Sequence, residues 1–156
     1  MLRRVRVIAD YQFGAGAGTG LFPDGCRFIL SRTGRVRQVF VGETRIATLR
    51  ASDGRLTLSF AGAERLREAI PPPGYRVCID PLVAEFIPKA KTAFAKHVIA
   101  ADLGIRAGDE VLLATGEDEL LATGMAILSG TEMLSFNYGP AVKIREGKES
   151  GCSQER

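Results

Sequence analysis

Short runs of alternating apolar and polar residues fill the first half of the chain, and glycine-containing turns separate them. A period of two is typical of a half-buried β-strand, because successive side chains point to opposite faces of the sheet. Leu56, Leu58 and Phe60, for example, share one face of a predicted strand. The alternation predicts strands over residues 5–9, 27–31, 36–41, 45–49, 56–60 and 75–79, the middle four forming two hairpins.

Residues 14–20 read Gly-Ala-Gly-Ala-Gly-Thr-Gly, which predicts a mobile loop. A dinucleotide-binding loop would need the G-x-G-x-x-G spacing between a strand and a long helix. Here glycine recurs at every second position and Pro23 follows closely, so nucleotide binding is not expected. A short helix is predicted over residues 63–69, and it ends at Pro71-Pro72-Pro73 because proline lacks the amide donor of the helical ladder.

The second half of the chain predicts a different set of short elements. A helical or irregular connector is expected over residues 81–88, and one or two helical turns over residues 95–101. Ser129 and Glu132 have the Ser-x-x-Glu spacing of a capping box, which marks the start of a short helix. The remaining elements are a hairpin that joins residues 111–114 to 120–128 and a last strand over residues 141–145.

Many short strands with few short helices favour the α+β class and two small β-rich domains. We expect the first domain over residues 1–80, as a sheet with one helix, and the second over residues 81–146. Asp80-Pro81 is the predicted boundary. The polar tail, residues 147–156, is expected to be disordered.

The composition is that of a globular protein, with 46% hydrophobic and 25% charged residues. Disordered, collagen-like and coiled-coil classes are thereby excluded. No apolar stretch approaches the roughly 20 residues that span a bilayer, and the N-terminal residues lead into the alternating pattern without an apolar signal segment. We therefore expect an intracellular, cytoplasmic protein without a membrane partner.

The cysteines, Cys26, Cys78 and Cys152, are too widely spaced for a zinc site or a disulfide framework. The one histidine of the chain, His97, has no cysteine beside it in the sequence. The spacing indicates that Cys26 and Cys78 are small buried apolar side chains and that Cys152 is a thiol in the tail. We expect neither a metal nor a cofactor.

The sequence also lacks the residue patterns that enzymatic catalysis would require. A Ser–His or Cys–His pair would have to use His97, and no G-x-S-x-G turn is present. The carboxylates of Asp109-Glu110 and of residues 117–119 stand beside turns, where capping and solvation explain them. We expect a protein that is not an enzyme.

Positive charge is concentrated in the first half of the chain. Residues 1–60 contain ten arginines, no lysine and four acidic residues, whereas residues 61–156 contain 11 basic and 14 acidic residues. Guanidinium groups bind phosphate in a bidentate manner and stack on bases. The asymmetry favours a polyanionic partner, although a solvated arginine-rich sheet face would give the same pattern.

A second basic segment combines three lysines, an aromatic residue and the histidine within ten residues: Lys89, Lys91, Phe94, Lys96 and His97. Lysines bind phosphate as point charges. In the alternative interpretation, Phe94 and Val98 are core anchors and the lysines are merely solvated. Both interpretations can hold together, because buried anchors would fix the direction of Lys96. Lys143 and Arg145, on one face of the last predicted strand, extend the same basic surface.

Several segments resemble a known RNA-binding module, the PUA domain of pseudouridine synthases and archaeosine transglycosylases. The resemblance rests on residues 94–98 (Phe-Ala-Lys-His-Val), 104–111 (Gly-Ile-Arg-Ala-Gly-Asp-Glu-Val), 121–126 (Leu-Ala-Thr-Gly-Met-Ala) and 139–145 (Gly-Pro-Ala-Val-Lys-Ile-Arg). The first half is similar to the pre-PUA domain of archaeal tRNA-guanine transglycosylases, through residues 10–14 (Asp-Tyr-Gln-Phe-Gly) and 54–58 (Gly-Arg-Leu-Thr-Leu).

This resemblance implies that the second domain is a PUA-like β-barrel. In that family the PUA domain holds the tRNA acceptor stem, in part through a Phe-x-Lys-x-Val segment that corresponds to Phe94, Lys96 and Val98. His97 takes the variable position of the motif. The family's catalytic barrel, with its aspartate nucleophile and its zinc-binding cysteines, has no counterpart here. The resemblance therefore implies an accessory subunit of a split enzyme or a protein that serves another RNA.

We expect a non-catalytic RNA-binding protein that binds the tRNA acceptor-stem backbone and supports a transglycosylase-type base-modification enzyme. Recognition would rest on phosphate, 2′-OH and helix shape, and DNA is not expected as a partner. The alternative is a protein-interaction subunit of a tRNA-modification complex, with a catalytic subunit as partner and incidental RNA contact. An unaided RNA-acting enzyme is a third interpretation, without an evident general base. The candidate RNA contacts are Arg35, Arg37, Lys89, Lys91, Phe94, Lys96, His97, Arg106, Lys143 and Arg145.

Overall fold

The structure, a computed structural model, describes residues 1–149. It divides into two compact units, the first of which is Met1–Pro71 and the second of which begins at Pro72. The sequence predicts this boundary later, at Asp80-Pro81, but the strand Arg76–Ile79 pairs within the second unit. Gly147, predicted in the tail, ends the last strand, whereas residues 150–156 of the predicted tail lie outside the described residues.

The first unit combines a four-stranded antiparallel sheet with three helices. The strand order is β1-β2-β3-β4, so each strand pairs with its neighbour in the chain, and both predicted hairpins are confirmed. The elements are α1 (Leu2–Phe13), α2 (Ala17–Leu21), β1 (Arg27–Leu30), β2 (Val36–Val41), β3 (Thr44–Leu49), β4 (Leu56–Leu58) and α3 (Phe60–Ala69).

The predicted strand over residues 5–9 is wrong, because these residues lie within helix α1. Val5, Ala9 and Phe13 recur at intervals of four residues and are buried, which is the helical period. The local Arg-Val-Arg-Val alternation is too short to distinguish a strand from a helix. The opposite face of α1 is exposed to solvent.

The predicted mobile loop over residues 14–20 is also corrected, since its second part forms α2. Gly18 is buried, and a Cβ atom there would lie 2.4 Å from the carbonyl oxygen of Arg6. Glycine is therefore required by the close approach of α2 to α1. Gly14 and Gly16 have positive φ angles of 111° and 93°, which glycine adopts without strain.

The side chain of Gln12 holds α1 against the edge of the sheet. Its amide nitrogen donates to the carbonyl oxygen of Leu56 at 2.9 Å, and its amide oxygen accepts from the backbone nitrogen of Leu56 at 2.8 Å. The side chain thus replaces a neighbouring strand and satisfies both backbone groups of one β4 residue.

The second unit is built on a six-stranded sheet with the order β6-β10-β9-β8-β5-β7. Its hairpin of residues 110–126 and the capping box of Ser129 and Glu132 confirm the sequence prediction. The elements are β5 (Arg76–Ile79), a 3-10 helix (Ala84–Lys89), β6 (Thr92–Phe94), a 3-10 turn (Ala95–His97), β7 (Val98–Ala101), β8 (Glu110–Ala114), β9 (Leu120–Ala126), α4 (Gly130–Ser135) and β10 (Pro140–Gly147).

This sheet curls into a half-barrel, as the connection between its two edge strands requires. β6 and β7 lie at opposite edges, yet only the 3-10 turn Ala95–His97, called here the joining turn, separates them in the chain. The helical turns predicted over residues 95–101 are therefore limited to the joining turn. Val98 and the residues after it form a strand because they pair with β5.

The fold class predicted from the sequence, α+β with two small β-rich domains, is confirmed, although the first unit has two more helices than expected. Apolar side chains such as Val77, Ile79, Val111 and Leu113 form the core of the half-barrel. Within residues 1–149, no helix has the length and apolar character that crossing a membrane requires.

Candidate nucleic-acid interface

Four of the predicted RNA-binding residues are exposed lysines of the second unit. None of them forms an ion pair with a carboxylate in the described part of the chain, so each ammonium group is available to a phosphate. These unpaired lysines are Lys89, Lys91, Lys96 and Lys143.

Two of the unpaired lysines lie near the same edge of the sheet. Lys143 of β10 lies opposite Thr92 of β6, and the backbone nitrogen of Ile144 donates to the carbonyl oxygen of Lys91, the residue before β6, at 2.9 Å. Lys91 and Lys143 are therefore one register position apart, and because successive side chains alternate between faces, they do not share a face of the sheet. β6 is an edge strand, so this pair stands at the rim of the sheet.

The joining turn carries the next part of the site. The backbone nitrogen of Ala95 donates to the carbonyl oxygen of Gly139 at 2.9 Å, which fixes the turn against the start of β10. Phe94 lies opposite Pro140 and remains 43% exposed, whereas Val98 is buried. The alternative interpretation, in which both residues are core anchors, is therefore confirmed for Val98 and wrong for Phe94.

The next two residues of the joining turn differ in exposure. The Lys96 side chain extends into solvent, and His97 is half-buried. The carbonyl oxygen of His97 accepts a hydrogen bond from the backbone nitrogen of Asp80 at 2.9 Å. This bond holds the turn from its second side and makes the position of Lys96 well defined.

Two aromatic residues that the sequence analysis did not select stand beside this turn. Phe136 and Tyr138 are exposed and stack on each other, with ring centroids 6.2 Å apart and an interplanar angle of 16°. Tyr138 is 77% exposed and directly precedes Gly139, the residue that accepts from Ala95. The Phe-Asn-Tyr-Gly-Pro sequence, with two aromatic residues before a turn, was the available signal.

Arg106 and Arg145 differ from each other in what they contact. The backbone nitrogen of Arg106 donates to Asp109 in the turn before β8, and its side chain is exposed. Arg145 instead forms a bidentate ion pair with Glu110, whose carboxylate is buried. Turn capping is confirmed for Asp109, but the expected solvated position of Glu110 is wrong.

Arg35 and Arg37 are exposed on the β1–β2 hairpin of the first unit. The stretch from Gly25 to Gly42 contains four arginines and no acidic residue. One of them, Arg27, lies over the ring of Phe40 at 4.5 Å, a cation–π geometry. This hairpin forms a cationic surface of the first unit.

Two described cysteines are free thiols, Cys26 and Cys78. Burial raises the pKa of both thiols, which makes them poor thiolate nucleophiles or metal ligands. Cys152 lies outside the described residues. From residue 1 to residue 149, no three His, Cys, Asp or Glu side chains form a group that could hold a metal ion.

Family comparison identifies both units. Residues 75–148 match the PUA domain, and residues 3–73 match the patch-forming domain C2 of tRNA-guanine transglycosylase. The solved structure of a hypothetical protein from Pyrococcus horikoshii OT3 has a TM-score of 0.74 at 18% identity, covering 99% of this chain and 93% of that chain. A conserved PUA domain protein from Thermoplasma acidophilum has a TM-score of 0.62 at 18% identity, covering 96% and 95%. These likenesses show the fold.

The chain is therefore a PUA-domain protein, and the resemblance found in the sequence is confirmed. More particularly, it is similar to the C-terminal region of archaeal tRNA-guanine(15) transglycosylases. The enzyme of Methanothermobacter thermautotrophicus is 49% identical over 147 residues, which are 94% of this chain and 22% of that protein. The chain spans about a quarter of the length of the curated relatives it matches.

Proposed function

We propose that this protein binds tRNA through its PUA domain and thereby supports a transglycosylase-type modification of a tRNA base. The single observation that carries the proposal is the set of unpaired lysines around the joining turn, together with the exposed aromatic side chains of Phe94 and Tyr138 that flank it. Lysines neutralise backbone phosphates, and aromatic rings stack on unpaired bases. The similarity to transglycosylases supports tRNA as the RNA and the acceptor stem as its contacted part.

The contacts divide by chemistry. Lys91, Lys96 and Lys143 bind phosphates, and Phe94 and Tyr138 offer apolar surface to a base or ribose. Arg106 and Lys89 add charge at the periphery of this surface, and His97 contributes through its half-exposed ring. Arg35 and Arg37 bind phosphate on the hairpin of the first unit. Arg145 acts indirectly, because Glu110 occupies its guanidinium group.

The role we propose is binding without catalysis. The similar transglycosylases are about four times as long, and only their C-terminal region is similar to this chain. The protein partner is therefore the catalytic portion of a tRNA-modifying enzyme. A role mainly in that protein contact, with incidental RNA contact, is the second candidate, and the acidic balance of residues 61–156 favours it.

A titration with total tRNA and with an unstructured RNA, repeated at several salt concentrations, tests the proposal. We expect tighter binding to tRNA, with an affinity that falls as salt rises because counterions are released. Absence of binding at low salt would overturn the proposal and favour the protein-contact role. Equal affinity for the two RNAs would contradict recognition of a folded tRNA.

A further inference from the structure

Helix α1 presents a stripe of exposed side chains on the face opposite the core. Arg3, Val7 and Tyr11 recur every four residues and therefore lie one above the other along the helix. Val7 is 59% exposed and Tyr11 94% exposed, values that are unusual for an apolar and an aromatic side chain on a helix with a buried opposite face. Tyrosine and arginine are also the residue types enriched at the centres of protein interfaces.

A cleft continues the stripe. It has a volume of about 510 Å³ and lies between α1 and the β3–β4 turn, all within the first unit. Its walls are formed by Val7, Ile8, Tyr11 and Gln12 of the helix and by residues 53–55 of the turn. The exposed surface of the stripe therefore continues from the helix into this cleft.

We propose that this stripe binds the same stripe of a second copy of the chain, with the two α1 helices antiparallel about a two-fold axis at Val7. In this arrangement a residue four before Val7 meets the partner's residue three after it, and a residue three before Val7 meets the partner's residue four after it. Arg3 then faces the partner's Asp10, and Arg4 faces the partner's Tyr11. The first contact is an ion pair and the second a cation–π contact.

Helix geometry supports these contacts. At about 100° per residue, Arg4 and Tyr11 are displaced to one side of Val7, and Arg3 and Asp10 to the other. The two-fold axis of an antiparallel pair reverses the direction along the helix and keeps the side, so Arg3 meets the partner's Asp10 on one side of the interface and Arg4 meets the partner's Tyr11 on the other. The surface is thus self-complementary, as an isologous dimer requires.

Electrostatics favour the antiparallel arrangement as well. The first turn of α1 contains Arg3 and Arg4 and no acidic residue. Two positive charges therefore lie at the positive, N-terminal end of the helix dipole, where they are unfavourable. In the dimer these arginines lie near the C-terminal, negative end of the partner's helix. Asp10 is already oriented, because its Oδ1 accepts from the backbone nitrogen of Gly18 at 2.7 Å. Its Oδ2 has no donor among the described residues.

The interface is small. From Arg3 to Tyr11 the stripe is only about 12 Å long at 1.5 Å per residue, so the dimer belongs to the weak, reversible class. Sedimentation equilibrium of the full chain without RNA, from on the order of 10 μM to on the order of 1 mM, covers the affinities expected of such interfaces. We expect the average mass to rise from that of the monomer toward twice that value.

Charge reversal tests the register of the dimer. Arg3→Asp and Asp10→Arg each place two pairs of like charges across the axis, so each variant alone is expected to remain monomeric. An equimolar mixture of the two restores opposite charges at both pairs and is expected to form the heterodimer. Arg32→Asp, the same charge change on the β1–β2 hairpin, is the matched control and keeps the wild-type association.

These association measurements use no RNA, so their outcome is independent of the proposed function. Tyr11→Ala, which alters no charge, provides an independent check and weakens association at least several-fold. A wild-type chain that stays monomeric over the whole range overturns the proposal and assigns the stripe to a different protein. A wild-type dimer that persists in every stripe variant overturns it too, as does a folded equimolar mixture that remains monomeric.

Discussion

The guanidinium group of Arg145 is held in a bidentate manner by the carboxylate of Glu110, across two strands that are not neighbours in the sheet. The Glu110 side chain is 4% exposed and that of Arg145 33%. Lys143, two residues earlier in the same strand, is exposed and unpaired. Two cations of one strand thus differ, since one is paired with a buried carboxylate and the other is exposed to solvent.

Replacing Arg145 with alanine is expected to destabilise the protein. The substitution removes the guanidinium group that pairs with a buried carboxylate, and we expect a loss of about 2–4 kcal/mol in the free energy of unfolding, reduced from the fully buried case by the partial exposure of Arg145. Urea unfolding measures it. Lys148→Ala removes an exposed pair with Glu119 and serves as the control, with a loss below about 1 kcal/mol. Equal losses in the two variants would contradict the structural role of Arg145.

Replacing Tyr138 with alanine is expected to weaken tRNA binding without changing the salt dependence. The exposed ring offers a stacking surface, and base–aromatic stacking contributes about 1–3 kcal/mol, which is roughly a 5- to 150-fold change in affinity. Tyr138→Phe keeps the ring and is expected to bind like the wild type. If the phenylalanine variant binds as weakly as the alanine variant, stacking is not the interaction.

Asp53 is expected to titrate far below its ordinary range. The hydrogen bond from the Arg50 side chain and then that from the Arg55 backbone lower the pKa of Asp53 from 3.8 to about 2. Because the folded-state pKa is lower, this carboxylate stabilises the fold above pH 3.8, and the contribution is lost as the pH falls through about 2. Carboxyl ¹³C NMR titration of wild type and Arg50→Ala measures the shift. We expect the variant's pKa to rise toward 3.8, and an unchanged pKa would exclude Arg50 as the main cause.

The two hairpins of the first unit follow from local signals in the sequence. Gly34 and Gly54 stand in turns with positive φ angles of 81° and 72°, where glycine is favoured, and alternating residues flank them. Helix α1 was missed because its buried side chains are spaced by four residues beneath a local valine–arginine alternation. The sequence predicts helical turns over residues 95–101, where the structure has the joining turn followed by β7. The pattern of these residues does not indicate a strand, because β7 forms by pairing with β5 from an earlier part of the chain.

The candidate site was only partly predictable for a similar reason. Its lysines are visible in the sequence, but their availability depends on which carboxylates the fold brings near. Glu110 is 35 residues from Arg145, and the sequence alone gives no sign that they meet. Tyr138 is not evident as a site residue from the sequence, because its exposure beside the joining turn depends on contacts that the fold creates, namely the stacking with Phe136 and the hydrogen bond between Ala95 and Gly139.

The most direct test of the central claim compares the salt dependence of tRNA binding in three variants: Lys96→Ala, Lys143→Ala and Lys148→Ala. If the unpaired lysines contact phosphates, each of the first two variants lowers the magnitude of the slope of log affinity against log salt by about 0.7–0.9, because one phosphate contact and its counterion release are lost. Lys148, paired with Glu119, leaves the slope unchanged. Slopes that are identical in all three variants and the wild type would contradict the interface described here.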